Sequence, residues 1–140
     1  MQEDRKSIGV AMNAADFSQG LAGFVNGTNT WYRHWIDRRF FYTDGIKFLA
    51  DNGAAWLLDA IFSHIKTNAI VQKEEFQVWR LKENPDKTAT LVGDDGDGRI
   101  LAQQRIPYTD FPLPEIKIYV EVGYADAESG GFIMMLPRER

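Results

Sequence analysis

The sequence predicts a single α+β domain in which an antiparallel sheet of about five strands packs against a helical hairpin. Three observations predict it. Apolar residues recur at helical spacing in the first half of the chain, whereas from residue 75 onward they alternate with a period of two. Turn-forming stretches rich in Asn, Asp, Gly and Pro separate the alternating segments. The length of 140 residues suits one domain with one core.

The N-terminal part of the chain predicts an arm, a short helix and a first strand. Residues 1–13 mix charged and small side chains without a period, so we expect a flexible arm ahead of a domain over 14–140. A short helix over 16–24, capped by its first residue, leads into a turn over 26–29. The aromatic stretch 38–43, bounded by turn formers, favours a strand.

The helical hairpin is predicted next. Its first helix, 45–51, ends at Asn52 and Gly53, a pair that favours a helix C-terminus. In its second helix, 54–66, apolar side chains fill a wide arc, so we expect this helix to be mostly buried against the sheet. A narrow polar stripe of the second helix faces solvent: Asp59, Ser63 and Lys66.

The second half of the chain predicts strands. They cover 76–81, 88–92, 99–105, 116–122 and 132–136. Turn sequences between the first three predict a meander. In the fourth, Ile116, Ile118, Val120 and Val122 alternate with polar residues, which predicts one buried and one wet face. The fifth is apolar throughout and predicts a strand covered on both faces.

Several stretches resemble a known family. They are TWYRH (30–34), RFFYTDGIKFLADNGAAWLLDAI (39–61), EFQVWRL (75–81), TATLVGDDGDG (88–98) and YTDFPLPEI (108–116). They resemble a small family, found in bacteria and mobile elements, that is known only as a domain of unknown function. The resemblance covers most of the chain from about residue 21 onward. It implies no established activity and therefore no catalytic residues.

Composition and charge exclude several function classes. Cysteine is absent, which removes disulfides and thiolate chemistry and favours a reducing cytoplasm. No stretch approaches the roughly 18 apolar residues of a membrane span, so we expect a soluble, unexported protein with no membrane partner. The formal net charge of −4 disfavours nucleic acid, and duplexes above all, as a partner bound mainly through its phosphates.

The candidate binding residues are aromatic and basic, and they lie close together in the sequence: Trp31, Tyr32, Arg33, His34, Trp35, Arg38 and Arg39. Aromatic residues and arginine are enriched at binding hot spots, and the same rings would suit stacking with the bases of a single strand. The favoured interpretation, however, is that these rings close the core beneath the first loop.

Catalytic signatures are absent from the sequence, which contains no glycine-rich phosphate loop, nucleophile elbow or metalloprotease helix motif. His34 with Asp37 is the one hydrolytic or metal pair to consider, although a capped or surface turn is favoured. His64 falls in the apolar arc of its helix and is expected to be buried and hydrogen-bonded. The acidic run 94–98 favours a hairpin turn over a calcium loop. We therefore predict no metal, no cofactor and, on balance, no enzyme.

The leading functional hypothesis is a non-catalytic protein-interaction module. An accessory or inhibitory role in a phage or mobile element is implied by the resemblance alone. The alternatives are a single-stranded nucleic-acid-binding protein that uses the same residues and a small hydrolase that uses His34 and Asp37. Homo-oligomerisation is a further hypothesis, through strand edges near Pro112 and the C-terminal strand.

Overall fold

A computed structural model of the chain describes residues 14–23, 31–123 and 131–140. In chain order these residues form α1 (Ala14–Ala22), β1 (Tyr32–Arg33), β2 (Phe40–Tyr42), α2 (Asp44–Leu49), a π-helical turn (Ala50–Ala54), α3 (Ala55–Thr67), α4 (Ala69–Gln72), β3 (Phe76–Glu83), β4 (Ala89–Asp94), β5 (Ile100–Ile106), β6 (Glu115–Gly123), β7 (Gly131–Met135) and a 3₁₀ turn (Pro137–Glu139). The predicted arm over 1–13 and the turn over 26–29 lie outside the described residues. The first helix begins at residue 14, two residues before the expected cap.

All seven strands belong to one mixed sheet in the order β1-β2-β7-β6-β3-β4-β5. The α+β class is confirmed, but the expectation of about five antiparallel strands was only roughly right. Two differences account for this. Strand β1 has two residues, too few to show alternation. Strand β2 pairs with β7 in parallel, and a local sequence pattern contains no information on a partner about 90 positions away.

The helices break where the sequence predicts. Gly53 has a φ of +98°, in the left-handed region that glycine adopts at low cost. The side-chain amide of Asn52 donates to the carbonyl oxygen of Phe48 at 2.8 Å and satisfies one of the last free carbonyls of the preceding helical turn. This break allows α3 to leave in a new direction.

The core lies between the helices and one face of the sheet. Leu57, Ile61 and Ile65 of α3 are fully buried there. The alternation in β6 is as predicted for Ile116, Ile118 and Val120, which are buried. Val122 was expected to be buried with them and is exposed, near the end of the strand.

The C-terminal strand β7 is buried along its whole length. Phe132 and Met134 join the main core, whereas Ile133 and Met135 pack with Phe41 in a second cluster. The strand is therefore covered on both faces, as predicted.

The same strand cannot serve as an edge for oligomerisation. Both of its sides are hydrogen-bonded, to β2 and to β6, so the expectation of pairing through β7 was wrong. The segment around Pro112 forms no strand either. Among the strands of the described residues, β1 and β5 are the two edges of the sheet.

A buried carboxylate attaches the C-terminus to the start of α2. Glu139 accepts hydrogen bonds from the Thr43 hydroxyl at 2.6 Å and from the backbone N–H groups of Gly45 and Leu136, both at 2.9 Å. The Thr43 hydroxyl in turn caps α2 by accepting from the N–H of Ile46. Within the described residues, no helix has the length and apolar character needed to cross a membrane.

Candidate functional site

The aromatic and basic residues of the first loop are divided between surface and interior. Trp35 is 78% exposed and Trp31 is 41% exposed. Tyr32 is half-buried and stacks on Tyr42 at 5.5 Å between ring centroids. His34, by contrast, is only 6% exposed. Both sequence-based interpretations therefore hold for part of the set, because some rings face solvent and one closes the core.

Backbone hydrogen bonds shape the loop that carries these residues. The N–H of His34 donates to the carbonyl of Phe40 at 2.8 Å, and the N–H of Phe40 donates to the carbonyl of Asp37 at 3.1 Å. The Asp37 carboxylate accepts from the N–H of Arg39 at 2.8 Å, which is the usual turn-forming bond of an aspartate. The loop is thus a closed turn between β1 and β2.

An aspartate on α3 holds two of the loop's rings. Asp59 Oδ1 lies 2.8 Å from Nε2 of His34 and accepts a hydrogen bond from the indole Nε1–H of Trp35 at 3.0 Å. The two rings also stack, with centroids 5.7 Å apart. The indole of Trp35 is therefore held in one orientation although most of its surface is exposed to water.

The hydrogen bonds of His34 establish its protonation state. Its Nδ1 accepts from the N–H of Ile36 at 3.2 Å, so in the neutral ring the proton is on Nε2 and is donated to Asp59. Burial lowers the pKa of His34, and the hydrogen bond and charge of Asp59 offset this only in part. Both ring nitrogens are engaged, and neither is free to take a proton from a substrate.

Asp37 does not pair with His34. It binds the side chain of Arg39, at 3.3 Å, and that of Lys66, at 2.8 Å. Burial raises the pKa of Asp37, but the hydrogen bonds from these two cations outweigh it and hold the pKa well below the usual range of an aspartate. The two members of the expected hydrolytic pair thus have different partners in the fold.

The loop and α3 enclose a groove of about 580 Å³, the aromatic–basic groove. It is lined by Arg33, Trp35, Ile36, Asp37, Arg38, Arg39 and Lys66. Four cationic side chains and one carboxylate give it an excess of positive charge on an acidic protein. Within the part of the chain that the structure describes, Arg33 and Arg38 form no ion pair. The guanidinium of Arg33 lies 5.4 Å from the centroid of the Phe41 ring.

Four of the seven candidate residues line this groove, and three do not. The four are Arg33, Trp35, Arg38 and Arg39. Sequence reasoning missed Asp59 and Lys66, which it placed only in the wet stripe of α3. The loop sequence carried no signal for either residue, because the choice of helix residues that meet a loop depends on tertiary packing.

The other residues singled out in the sequence have structural partners. His64 is half-buried, lies 2.8 Å from Oε1 of Gln104 through Nε2 and stacks on the buried Trp79 at 5.5 Å. It is hydrogen-bonded as expected but less buried than His34. The acidic run forms a turn between β4 and β5, closed by the bond from Asp95 N–H to the Arg99 carbonyl at 3.1 Å.

Comparison with known proteins identifies a family but no activity. The model of a family of unknown function, DUF6876, matches residues 16–140. No curated protein and no solved structure matches the chain. The resemblance to a domain-of-unknown-function family is thereby confirmed.

Proposed function

We propose that this chain, which belongs to the DUF6876 family of unknown function, is a protein-interaction module whose aromatic–basic groove binds an acidic segment of a partner protein. The observation that carries the proposal is the state of Trp35. Its side chain is 78% exposed, yet Asp59 and His34 hold it in one orientation. A partner that packs on this ring pays little of the ordering entropy that a free side chain would cost.

The charges beside Trp35 define the chemistry of the partner. Arg33 and Arg38 line the groove without an ion pair among the described residues, so their guanidinium groups are available for carboxylates. Arginine binds a carboxylate through two parallel hydrogen bonds, which adds direction to the attraction. We therefore expect a partner segment with Asp or Glu residues on either side of an apolar or aromatic side chain that packs on the indole.

The experiment is a selection of random displayed peptides against the immobilised protein. A groove variant with Arg33→Ala, Trp35→Ala and Arg38→Ala serves for counter-selection. A control variant removes two exposed cations and one exposed apolar residue elsewhere on the sheet: Lys82→Ala, Lys117→Ala and Val122→Ala.

The proposal requires enriched peptides that are rich in Asp and Glu, bind the wild type and the control variant equally, and lose binding to the folded groove variant. Peptides without acidic enrichment, or with equal binding to the groove variant, would overturn it. Circular dichroism and a cooperative urea transition verify that each variant is folded.

Single-stranded nucleic acid is the second candidate ligand for the same groove. The observation that favours it is an exposed indole face beside two guanidinium groups, since bases stack on aromatic rings and arginines neutralise phosphates. Labelled oligo-dT should then bind the wild type with an affinity that falls steeply as salt is raised. Absent or salt-insensitive binding of oligo-dT would remove this candidate and leave the first untouched.

An accessory or inhibitory role in a phage or mobile element is a prediction that the resemblance alone supports. The cytoplasmic location is likewise a prediction from composition. A hydrolytic role for His34 and Asp37 has less support, because His34 is a neutral, fully hydrogen-bonded ring and Asp37 pairs with Arg39 and Lys66.

A further inference from the structure

Strand β5 is the long free edge of the sheet. It pairs with β4 on one side, and no strand among the described residues occupies its other side. Seven residues, Ile100–Ile106, therefore present a row of backbone groups without a strand partner. Of the features that usually protect such an edge, β5 has one charged residue, Arg105, and one bulge near its start, where its pairing with β4 skips Leu101. The opposite edge, β1, has only two residues.

Three of the six large apolar side chains that are exposed in the described residues lie at or near this edge. Ile100, at the start of β5, is 59% exposed, and Tyr108, two residues beyond its end, is 68% exposed. Ile70 is also exposed and lies on α4, which packs beside β5. Since a strand rises about 3.3 Å per residue, the two ends of β5 are roughly 20 Å apart, so Ile100 and Tyr108, at opposite ends, cannot cover each other in one copy.

We propose that β5 pairs antiparallel with β5 of a second copy, so that the protein is a two-fold symmetric dimer with a continuous sheet. Pairing centred on Gln103 places this residue on the two-fold axis, and Ala102 then pairs with Gln104 of the second copy. Beyond the bulge at Leu101, Ile100 lies near Ile106 of the second copy and close to its Tyr108. The two exposed apolar ends of the strand, which are far apart within one copy, meet across the interface.

The charges along β5 are compatible with this register. Arg105 lies near the bulge at Leu101 of the second copy, so no like charges face each other along the paired strands. Gln103 lies opposite Gln103 of the second copy, and the two neutral side-chain amides can hydrogen-bond to each other. A strand from an unrelated partner would satisfy the same backbone groups, but it would not bring Ile100 and Tyr108 of this chain together.

This inference is independent of the proposed function. The aromatic–basic groove includes Arg33 of β1, and β1 and β5 are the two opposite edges of the sheet. A failed dimer would leave the groove unaffected, and a groove without ligand would leave the dimer unaffected.

The test uses charge at the two-fold axis. Wild-type protein should sediment as a dimer whose dissociation is resolved on dilution. Gln103→Glu and Gln103→Lys, both at an exposed position, should each weaken the dimer by about three- to tenfold, because like charges then lie directly opposite each other. An equal mixture of the two variants should restore the dimer through a Glu–Lys pair.

Cross-linking tests the register itself. The chain has no cysteine, so Gln103→Cys introduces a single thiol that should form an intermolecular disulfide on mild oxidation. Lys117→Cys, exposed on an interior strand, is the matched control and should cross-link far more slowly. A monomeric wild type, a dimer indifferent to both charges at Gln103, or equal cross-linking at the two positions would each overturn the proposal.

Discussion

Replacing Glu139 with alanine should destabilise the protein by about 3–4 kcal/mol. The Glu139 carboxylate is buried and accepts from three donors: the Thr43 hydroxyl, the Gly45 N–H and the Leu136 N–H. Its truncation leaves all three without this acceptor. The substitution also removes the contact between the C-terminal turn and the start of α2, which lie about 90 positions apart in the sequence.

The magnitude follows from the type of bond. A hydrogen bond to a charged group contributes about 1.5–3 kcal/mol, and an orphaned buried donor costs about 1–3 kcal/mol. Summed over three donors, these free energies would exceed the loss that single substitutions usually cause. The last turn, Pro137–Glu139, can loosen and admit water to the donors, which reduces the expected loss of stability. Glu139→Gln keeps one oxygen acceptor but turns an amide N–H₂ toward a donor. We therefore expect this variant to lose about 2–3 kcal/mol of unfolding free energy.

The assay is urea unfolding followed by tryptophan fluorescence, which includes the exposure of the almost fully buried Trp79 among the four tryptophans. The matched control is Glu74→Gln, which removes a surface ion pair with Arg99 at 3.3 Å and should cost less than about 1 kcal/mol. Two results would contradict this prediction: an unfolding free energy of Glu139→Ala within about 1 kcal/mol of the wild type, or a loss of stability in Glu74→Gln as large as in Glu139→Ala.

Three further changes test other parts of the structure. In Gly93→Ala, the new Cβ would lie 2.7 Å from the Trp79 indole, so urea unfolding should show a loss of about 1–3 kcal/mol. The stability gap between wild type and Asp37→Asn should be full above about pH 4 and shrink as pH falls toward the lowered pKa of Asp37; a constant gap would contradict this. Asp59→Ala should release the indole of Trp35 and weaken peptide capture; tryptophan fluorescence anisotropy should fall, and the same substitution in a Trp35→Phe variant should leave it unchanged.

The parts of the fold that were predicted are those determined by local chemistry. Asn52 and Gly53 end a helix because of their own dihedral preferences, and the alternation of Ile116, Ile118 and Val120 reflects the pleat of a single strand. The parallel pairing of β2 with β7 is different in kind. It depends on how distant segments share one core, and no periodicity within either segment specifies it.

The candidate site was predicted in composition but not in its contacts. Trp35, Arg33 and Arg38 are exposed, as an aromatic and basic surface requires, and their role in binding stays a prediction. The hydrogen-bond partner of His34 was not predicted. The nearest carboxylate in the sequence is Asp37, whereas in the fold His34 binds Asp59 of α3. Which side of a helix meets a loop depends on tertiary packing and cannot be inferred from the loop alone.

The most direct test of the central claim is the ¹H–¹⁵N spectrum of the four tryptophan indoles during titration with an acidic peptide from the display selection. Binding in the aromatic–basic groove should shift the indole N–H resonance of Trp35 and leave that of buried Trp79 in place. The shift should be absent when Arg33 and Arg38 are replaced by alanine. An unchanged Trp35 resonance at saturating peptide, or the same shift in the arginine variant, would contradict the assignment of the groove as the binding site.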